Sequence, residues 1–379
     1  MTKRPYLDFY GKHDISPVAM GVNWESHFIQ RKALYFRLGI LPGNVRGRKV
    51  LEFGPGNGVN AVFTITMEPE KYVLVDGNPK GIENCKINLK CFHPGKNWKI
   101  VNSLFEEYFT DEKFDLVICE GFLPNQIDPF QMARHCSSFV SQGGLFVVTC
   151  HDMISTVSET LRSLLGWFLI EDIDDFHRQV TVLATFFEEH LGHLKGMTRT
   201  KEEWVIDNIM NSEFWKDAPL FSIEEAIGAL EHEFIVCATS PWFVQDWSWY
   251  KSVEEVKGHF NSVMKKAYLR NQHNLIDWRI ESHSRNQSDN RALYGACKEI
   301  REKIRETVND NGNIDQLIDR CRNLMNLLPD EYVDTKAAID SYVGGIKYYL
   351  NDGKIDKEMF LNFAPWWGRG TQYASFLKE

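Results

Sequence analysis

The sequence predicts an α/β protein built on a doubly wound, mostly parallel sheet, with large helical insertions and a helical C-terminal region. Three observations carry this. Short, nearly continuous apolar runs recur between residues 49 and 150, separated by segments of helical periodicity, and such runs suit strands buried on both faces. A glycine-rich turn, Gly54-x-Gly56-x-Gly58, joins the first run to a helical pattern. Polar residues (Glu52, Asp76, Asn102, Glu120 and His151) fall at the carboxyl ends of the runs, where open α/β sheets bind ligands.

Each element has its own local reason. Residues 1–22 are rich in aromatics and turn formers, and Asn23 is placed to cap a helix over 24–38 with an apolar stripe of Trp24, Phe28, Leu34, Tyr35 and Leu38. Leu41-Pro42-Gly43-Asn44 ends it. Lys49-Val50-Leu51-Glu52-Phe53 is the first strand, and Tyr72-Val73-Leu74-Val75-Asp76 the second. Pro79 starts a helix to about Leu89. Trp98 to Asn102 reads as the third strand and Phe114 to Glu120 as the fourth. A helix over 129–140 leads to Gln142-Gly143-Gly144 and a fifth strand, Leu145 to Cys150. Residues 153–220 turn helical and irregular. Ser222 and Glu225 form a capping-box start, and Phe234 to Thr239 is a sixth strand. Residues 251–350 read as helical, and Thr371 to Leu377 as a last strand returning to the sheet.

A chain of 379 residues has room for two domains, or for one with large insertions. Hydrophobic residues at 43% and charged residues at 25% are those of a soluble globular protein. A net charge of −9 argues against a broad nucleic-acid surface. The longest apolar run, Leu161 to Ile170, is too short to span a membrane. Met1 to Tyr6 lacks the apolar core of a signal peptide. The eight cysteines form no CxxC pair and read as reduced, buried thiols, so a cytoplasmic location is expected.

The turn says which nucleotide. A dinucleotide fingerprint wants glycine at position 59, where Val59 stands. Glu52 sits at the strand end, where its charge repels a pyrophosphate and attracts a cation. Asp76 ends the next strand at the spacing that suits ribose hydroxyls. A ligand with a ribose, no phosphate and a positive charge fits S-adenosylmethionine better than NAD.

These residues resemble a family. Val50-Leu51-Glu52-Phe53-Gly54-Pro55-Gly56-Asn57-Gly58 is similar to the first motif of class I S-adenosylmethionine-dependent methyltransferases, which are Rossmann-like. Asp76 resembles their ribose-binding acid, Phe114-Asp115-Leu116-Val117 their fourth strand, and Gln142-Gly143-Gly144-Leu145 the turn into their fifth. The resemblance implies that Glu52, Gly54, Pro55, Gly56, Asn57 and Gly58 line the methionine portion of the cofactor. Asp76, Gly77 and Asn78 would hold the ribose, Asn102 and Ser103 would lie by the adenine, and Glu120 would face the methionine end or the acceptor. It also implies a division into an N-terminal segment (1–45) serving as lid or substrate side and a cofactor domain (46–152 and 221–250). A helical insertion (153–220) and a helical region (251–379) complete the chain. The loop Glu120-Gly121-Phe122-Leu123 differs from the Asn/Asp-Pro-Pro-Tyr loop of enzymes that methylate base or amide nitrogens, so those acceptors are not expected.

The expected activity is methyl transfer to oxygen or nitrogen of a small-molecule or glycan-type acceptor. An NAD(P)-dependent oxidoreductase and a cofactor-binding scaffold without catalysis are the alternatives. Candidate bases are His151, trailed by Asp152, then His13 and Glu120. The runs at 171–177 and 188–193 lack metal-ligand spacing, so no metal is expected. Trp242, Trp247, Trp249 and Tyr250 could stack on a sugar or aromatic acceptor, but packing between the sheet and the helical block is the expected role. The mixed charges from Lys298 to Arg305 suit a solvated helix. Nothing in the sequence sets the oligomeric state.

Overall fold

The computed structural model describes residues 5–15, 23–95, 97–197, 199–211, 219–310 and 314–379. Strands β1 (Lys49–Phe53), β2 (Lys71–Asp76), β3 (Trp98–Asn102), β4 (Phe114–Cys119), β5 (Val140–His151), β6 (Phe234–Ser240) and β7 (Thr371–Lys378) form one sheet. Its order is β3-β2-β1-β4-β5-β7-β6. The pairings from β3 across to β5 are parallel; β7 enters antiparallel between β5 and β6. The chain is therefore the doubly wound, mostly parallel α/β protein that its apolar runs predict.

The chain forms two compact units. The first comprises Met1–His151, Ala218–Tyr268 and Thr371–Glu379, and the second Asp152–Asp217 and Leu269–Gly370.

In the first unit the helices are α1 (Pro5–His13), α2 (Trp24–Arg37), α3 (Val59–Ile65), α4 (Pro79–Phe92) and α5 (Pro129–Ser137). Side-chain caps fix their starts: Asn23 Oδ1 accepts from Ser26 N–H, Asn78 Oδ1 from Lys80 and Gly81 N–H, and Asp128 Oδ1 from Gln131 N–H. One face of the sheet, with Val50, Tyr72, Leu74, Leu116 and Ile118, packs on Tyr35, Leu38, Ala61, Val62 and Leu89 as one fully buried cluster. The buried residues of α2 are His27, Arg31 and Tyr35; Trp24, Phe28 and Leu34 are only partly covered. A buried polar stripe thus runs along a helix that the sequence presents as apolar.

The expected Gly-Gly turn before the fifth strand lies inside β5. Phe114 pairs with Val140 and Leu116 already with Leu145, so the extra residues of β5 bulge outward. Gly143 takes φ +72°, and a Cβ on Gly144 would stand 2.9 Å from Ser141 O and 3.0 Å from Asp115 O. Only glycine fits there.

The second unit is helical among its described residues. It contains α6 (Val157–Ile170), α7 (Phe176–Gly192), α8 (Lys201–Val205, continuing as a π-turn over Ile206–Met210), α11 (Gln287–Asp310), α12 (Ile314–Leu327) and α13 (Val333–Asp352). Two further helices precede α11 in the chain: α9 (Ile223–Leu230), in the first unit, and α10 (Phe260–Asn271). Arg162 is fully buried in the second unit. Its guanidinium donates to Ser158 O, Phe363 O, Ala364 O and His190 Nδ1, and stacks 3.6 Å over the Trp367 ring. No described helix is long and apolar enough to cross a membrane.

Two expectations are corrected. Trp242, Trp247, Trp249 and Tyr250 do not fill a core: they are 58%, 98%, 66% and 66% exposed on an irregular loop after β6. Arg37 lies over Trp242, and Lys251 over Trp249 and Tyr250, as cation–π partners, so these three rings meet surface cations and not a core. Of the eight cysteines, all free, Cys91 and Cys237 are exposed; the other six are buried.

Candidate functional site

The glycine turn is built from the inside. Gly54, Gly56 and Gly58 take φ +70°, +54° and +80°, so the chain leaves β1 through three left-handed positions that L side chains resist. Gly58 N–H donates to Pro55 O at 2.8 Å, and Val59 N–H to Asn57 Oδ1 at 3.1 Å. Gly56 N–H donates to Asp76 Oδ2 at 3.0 Å. Asp76 Oδ1 accepts from Asn78 N–H at 2.7 Å, so one carboxylate braces the turn after β1 and the turn after β2. Burial pushes the Asp76 carboxyl up to about 6 against the pull of the N–H groups of Asn78, Gly56 and Gly77. Asn102 is exposed and lies beside Asp76 in the β2–β3 register. Ser103 N–H donates to Asp76 O at 3.1 Å, which brings Ser103 to the same corner. Ile15 O accepts from Asn78 Nδ2 at 3.4 Å, so the segment after α1 reaches this corner too.

Glu52 is placed differently from the turn it precedes. It is 3% exposed and directed into the core layer, where the Tyr72 hydroxyl donates to its Oε2. Burial raises its carboxyl to about 7, the Tyr72 bond opposing. Pro55 and Asn57 are buried as well.

Glu120, just past β4, accepts from three side chains. Arg31 of α2 donates to it through both terminal nitrogens, at 2.7 and 2.8 Å. Asn60 of α3 donates to Oε1 at 3.1 Å and the Tyr373 hydroxyl of β7 to the same oxygen at 3.0 Å. Side-chain exposure is 7% for Arg31 and 13% for Glu120, so this bidentate pair is largely withdrawn from water. Beside it His27 lies 3.2 Å from Val59 O, and burial followed by the Arg31 charge lowers its pKa. Next along the chain, Gly121 N–H donates to Thr149 Oγ1 at 3.0 Å, and Phe122 packs 4.4 Å from Phe105. These two rings close over Gly54, where a Cβ would meet Phe122 at 3.1 Å and Phe105 at 3.4 Å.

Of the histidines, His151 ends β5 and is 9% exposed. Its N–H donates to Phe221 O, and its Nε2 lies 3.4 Å from Thr371 Oγ1. The Asp152 carboxylate is engaged by Ile154 N–H at 2.7 Å and Gln272 Nε2 at 2.6 Å. His13 lies in the last turn of α1, half-buried, its ring 5.1 Å from Phe9; burial and then Lys12 lower its pKa. The structure thus brings Gly54 to Gly58, Asp76, Asn78 and Ser103 to one corner and Glu120 to the adjacent strand end.

Arg31, Asn60, Tyr373 and Phe105 lie among these residues without having been singled out in the sequence. Arg31 carried one readable signal: it shares helical spacing with Tyr35 and Leu38, so a cation stands on a buried face. Tyr373 carried none, because its partner depends on where β7 enters the sheet.

Residues 44–204 match a family model described as a methyltransferase domain. Three solved structures are similar to part of the chain. The CcbJ methyltransferase from Streptomyces caelestis is 18% identical over 35% of this chain and 50% of its own, with a TM-score of 0.28. The N-methyltransferase NodS from Bradyrhizobium japonicum, in complex with S-adenosyl-L-homocysteine, is 14% identical over 35% of this chain and 64% of its own, at 0.29. An S-adenosylmethionine-dependent methyltransferase from Mesorhizobium loti is 17% identical over 35% and 55%, at 0.29. The chain thus spans less than two thirds of the length of each of these structures. No curated protein matches it. Residues 44–204, which carry the glycine turn and strands β1 to β5, are thus a methyltransferase domain.

Proposed function

We propose that this chain transfers a methyl group from S-adenosylmethionine to an oxygen or nitrogen of a small-molecule or glycan-type acceptor. The observation that carries the cofactor half is the state of the turn's own N–H groups. Gly56 gives its N–H to Asp76, Gly58 to Pro55 O and Val59 to Asn57. A pyrophosphate needs such donors free at a helix N-terminus. Here they are already bonded, and a carboxylate stands in the place, which favours a phosphate-free, cationic adenosine ligand over NAD(P).

The residues present fit that ligand. Asp76 keeps acceptor capacity beyond its three backbone bonds, suited to ribose hydroxyls, with Gly77 and Asn78 beside it. Gly54 to Gly58 offer a side-chain-free backbone to the methionine portion, Asn102 and Ser103 border the adenine side, and Glu120 offers a carboxylate to the methionine end. When bound, S-adenosylmethionine supplies an electrophilic methyl group on a sulfonium. The chain's part is to align the acceptor in line with that group and to exclude water. A hydroxyl acceptor would need a base, and His151 at the end of β5 is the candidate we favour. Glu120, already accepting from Arg31, Asn60 and Tyr373, is better suited to holding a ligand than to removing a proton. His13 is the candidate on the N-terminal side.

Titration calorimetry with S-adenosylmethionine and S-adenosylhomocysteine tests the cofactor half: saturable binding is expected, and none by the folded protein would end the proposal. Incubation with methyl-labelled cofactor and size-fractionated cell extract tests the acceptor half. Label is expected in the low-mass or glycan fraction; binding without transfer to any fraction would leave a scaffold.

A further inference from the structure

We infer that Arg31, Asn60 and Tyr373 are positioning residues that lock the Glu120 carboxylate at the end of β4 as a fixed receptor for the amino-acid end of the cofactor. The inference rests on the cofactor reading above and goes beyond it, because two of the three residues lie outside the 44–204 match.

The geometry is specific. Among the described residues, Glu120 Oε1 accepts from Arg31, Asn60 and Tyr373, whereas Oε2 accepts only from Arg31. A carboxylate oxygen has two lone pairs, and sideways approaches let it take a third donor when crowded. Oε1 is therefore filled, and Oε2 is the atom with room for another donor. The three anchors come from α2, α3 and β7 and converge on one side chain. Asn60 lies in the first turn of the helix that the glycine turn opens, so the carboxylate is tied to that turn as well as to the sheet. A side chain held by four bonds has one rotamer, and a receptor that needs no ordering when its ligand arrives binds more tightly. An ammonium group matches it: a cation with several N–H donors meeting a carboxylate oxygen. The guanidinium behind Glu120 keeps the pair neutral overall, so Glu120 contributes a directed hydrogen bond and not a bare charge. The other titratable side chains about it are His27 and Tyr35 from α2 and Glu52 from β1.

The test separates the amino-acid end from the nucleoside. S-Adenosylhomocysteine carries the amino-acid end; 5′-methylthioadenosine lacks it. Calorimetric affinities for both ligands are measured on wild type, Tyr373→Phe, Asn60→Ala and the charge-balanced double variant Arg31→Met/Glu120→Gln, which guards against an unpaired buried charge. Tyr373→Phe and Asn60→Ala are expected to weaken S-adenosylhomocysteine about fivefold each, the worth of one hydrogen bond. The double variant is expected to weaken it at least tenfold, with 5′-methylthioadenosine held within twofold throughout. Equal weakening of both ligands would mean the cluster only supports the fold, and no weakening of either would mean it does not position the receptor; both overturn the inference alone. Failure of wild type to bind either ligand would overturn the cofactor reading and this inference with it.

Discussion

Gly56 N–H donates to the Asp76 carboxylate at 3.0 Å, so the turn that follows β1 is held in shape by the residue that ends β2. Asp76 is therefore a structural brace before it meets any ligand. Asp76→Ala is expected to weaken S-adenosylhomocysteine binding at least tenfold and to lower stability by about 1–3 kcal/mol, because the N–H groups of Gly56 and Asn78 lose their acceptor. Asp76→Asn, which keeps one acceptor oxygen, should fall between. Calorimetry and urea denaturation read the two effects separately; unchanged affinity would remove Asp76 from the cofactor site.

Glu52 gives the site a pH signature. Burial raises its carboxyl to about 7 from an ordinary 4.5, so the folded chain holds this proton more tightly than the unfolded chain. Stability at this site is then greatest below about pH 4.5, falls as pH rises toward 7, and is level above that. Glu52→Gln removes the ionisation while keeping an oxygen for the Tyr72 hydroxyl. Denaturation at pH 5 and pH 8 should show the variant gaining on wild type across that interval, by at most on the order of 3 kcal/mol. A difference that does not change with pH would show that Glu52 titrates normally.

Gly58 is constrained twice. Its φ is +80°, and a Cβ would stand 2.6 Å from Cys85 Sγ and 3.0 Å from the Cys85 backbone. Gly143 has a similar φ of +72° with open space around it. Gly143→Ala should cost about 1–2 kcal/mol from the left-handed backbone alone, and Gly58→Ala clearly more. Adding Cys85→Ala to Gly58→Ala should return part of the difference, since removing the sulfur leaves the α4 backbone where it was. Calorimetric Tm values rank the three; equal costs for the two glycines would mean α4 yields freely.

Arg162 organises the second unit by donating to two chain segments at once, α6 through Ser158 O and the stretch near α13 through Phe363 O and Ala364 O. Arg162→Leu should destabilise by about 3 kcal/mol or more, leaving those carbonyls unpaired in a dry interior. Limited proteolysis should then cut first within 152–217 and 269–370. Unchanged protection there would show that Trp367 and its neighbours hold the unit without the cation.

The strands were legible because their causes are local. β1, β2 and β4 are apolar runs buried on both faces, β3 is a half-covered edge strand, and Asn23 and Ser222 cap helices through bonds to residues three positions on. The glycine turn was legible for the same reason. Glu52 was harder: its place at the strand end points to a ligand, yet the pleat turns it toward Tyr72. The Trp242 to Tyr250 run misled because aromatic content predicts burial only on average, and these rings stand on a loop with most of their surface open.

What the residues determined by themselves is a parallel sheet, a turn without side chains, and a carboxylate one strand over. The tertiary structure alone decided how Glu120 is held. Arg31, Asn60, Glu120 and Tyr373 are spread over most of the chain, and they meet only because β7 inserts antiparallel beside β5 and α2 packs its polar stripe inward. Local periodicity specifies which face of an element is buried. Which side chains meet across three elements depends on sheet order and helix placement, and these are set by the packing of the whole unit.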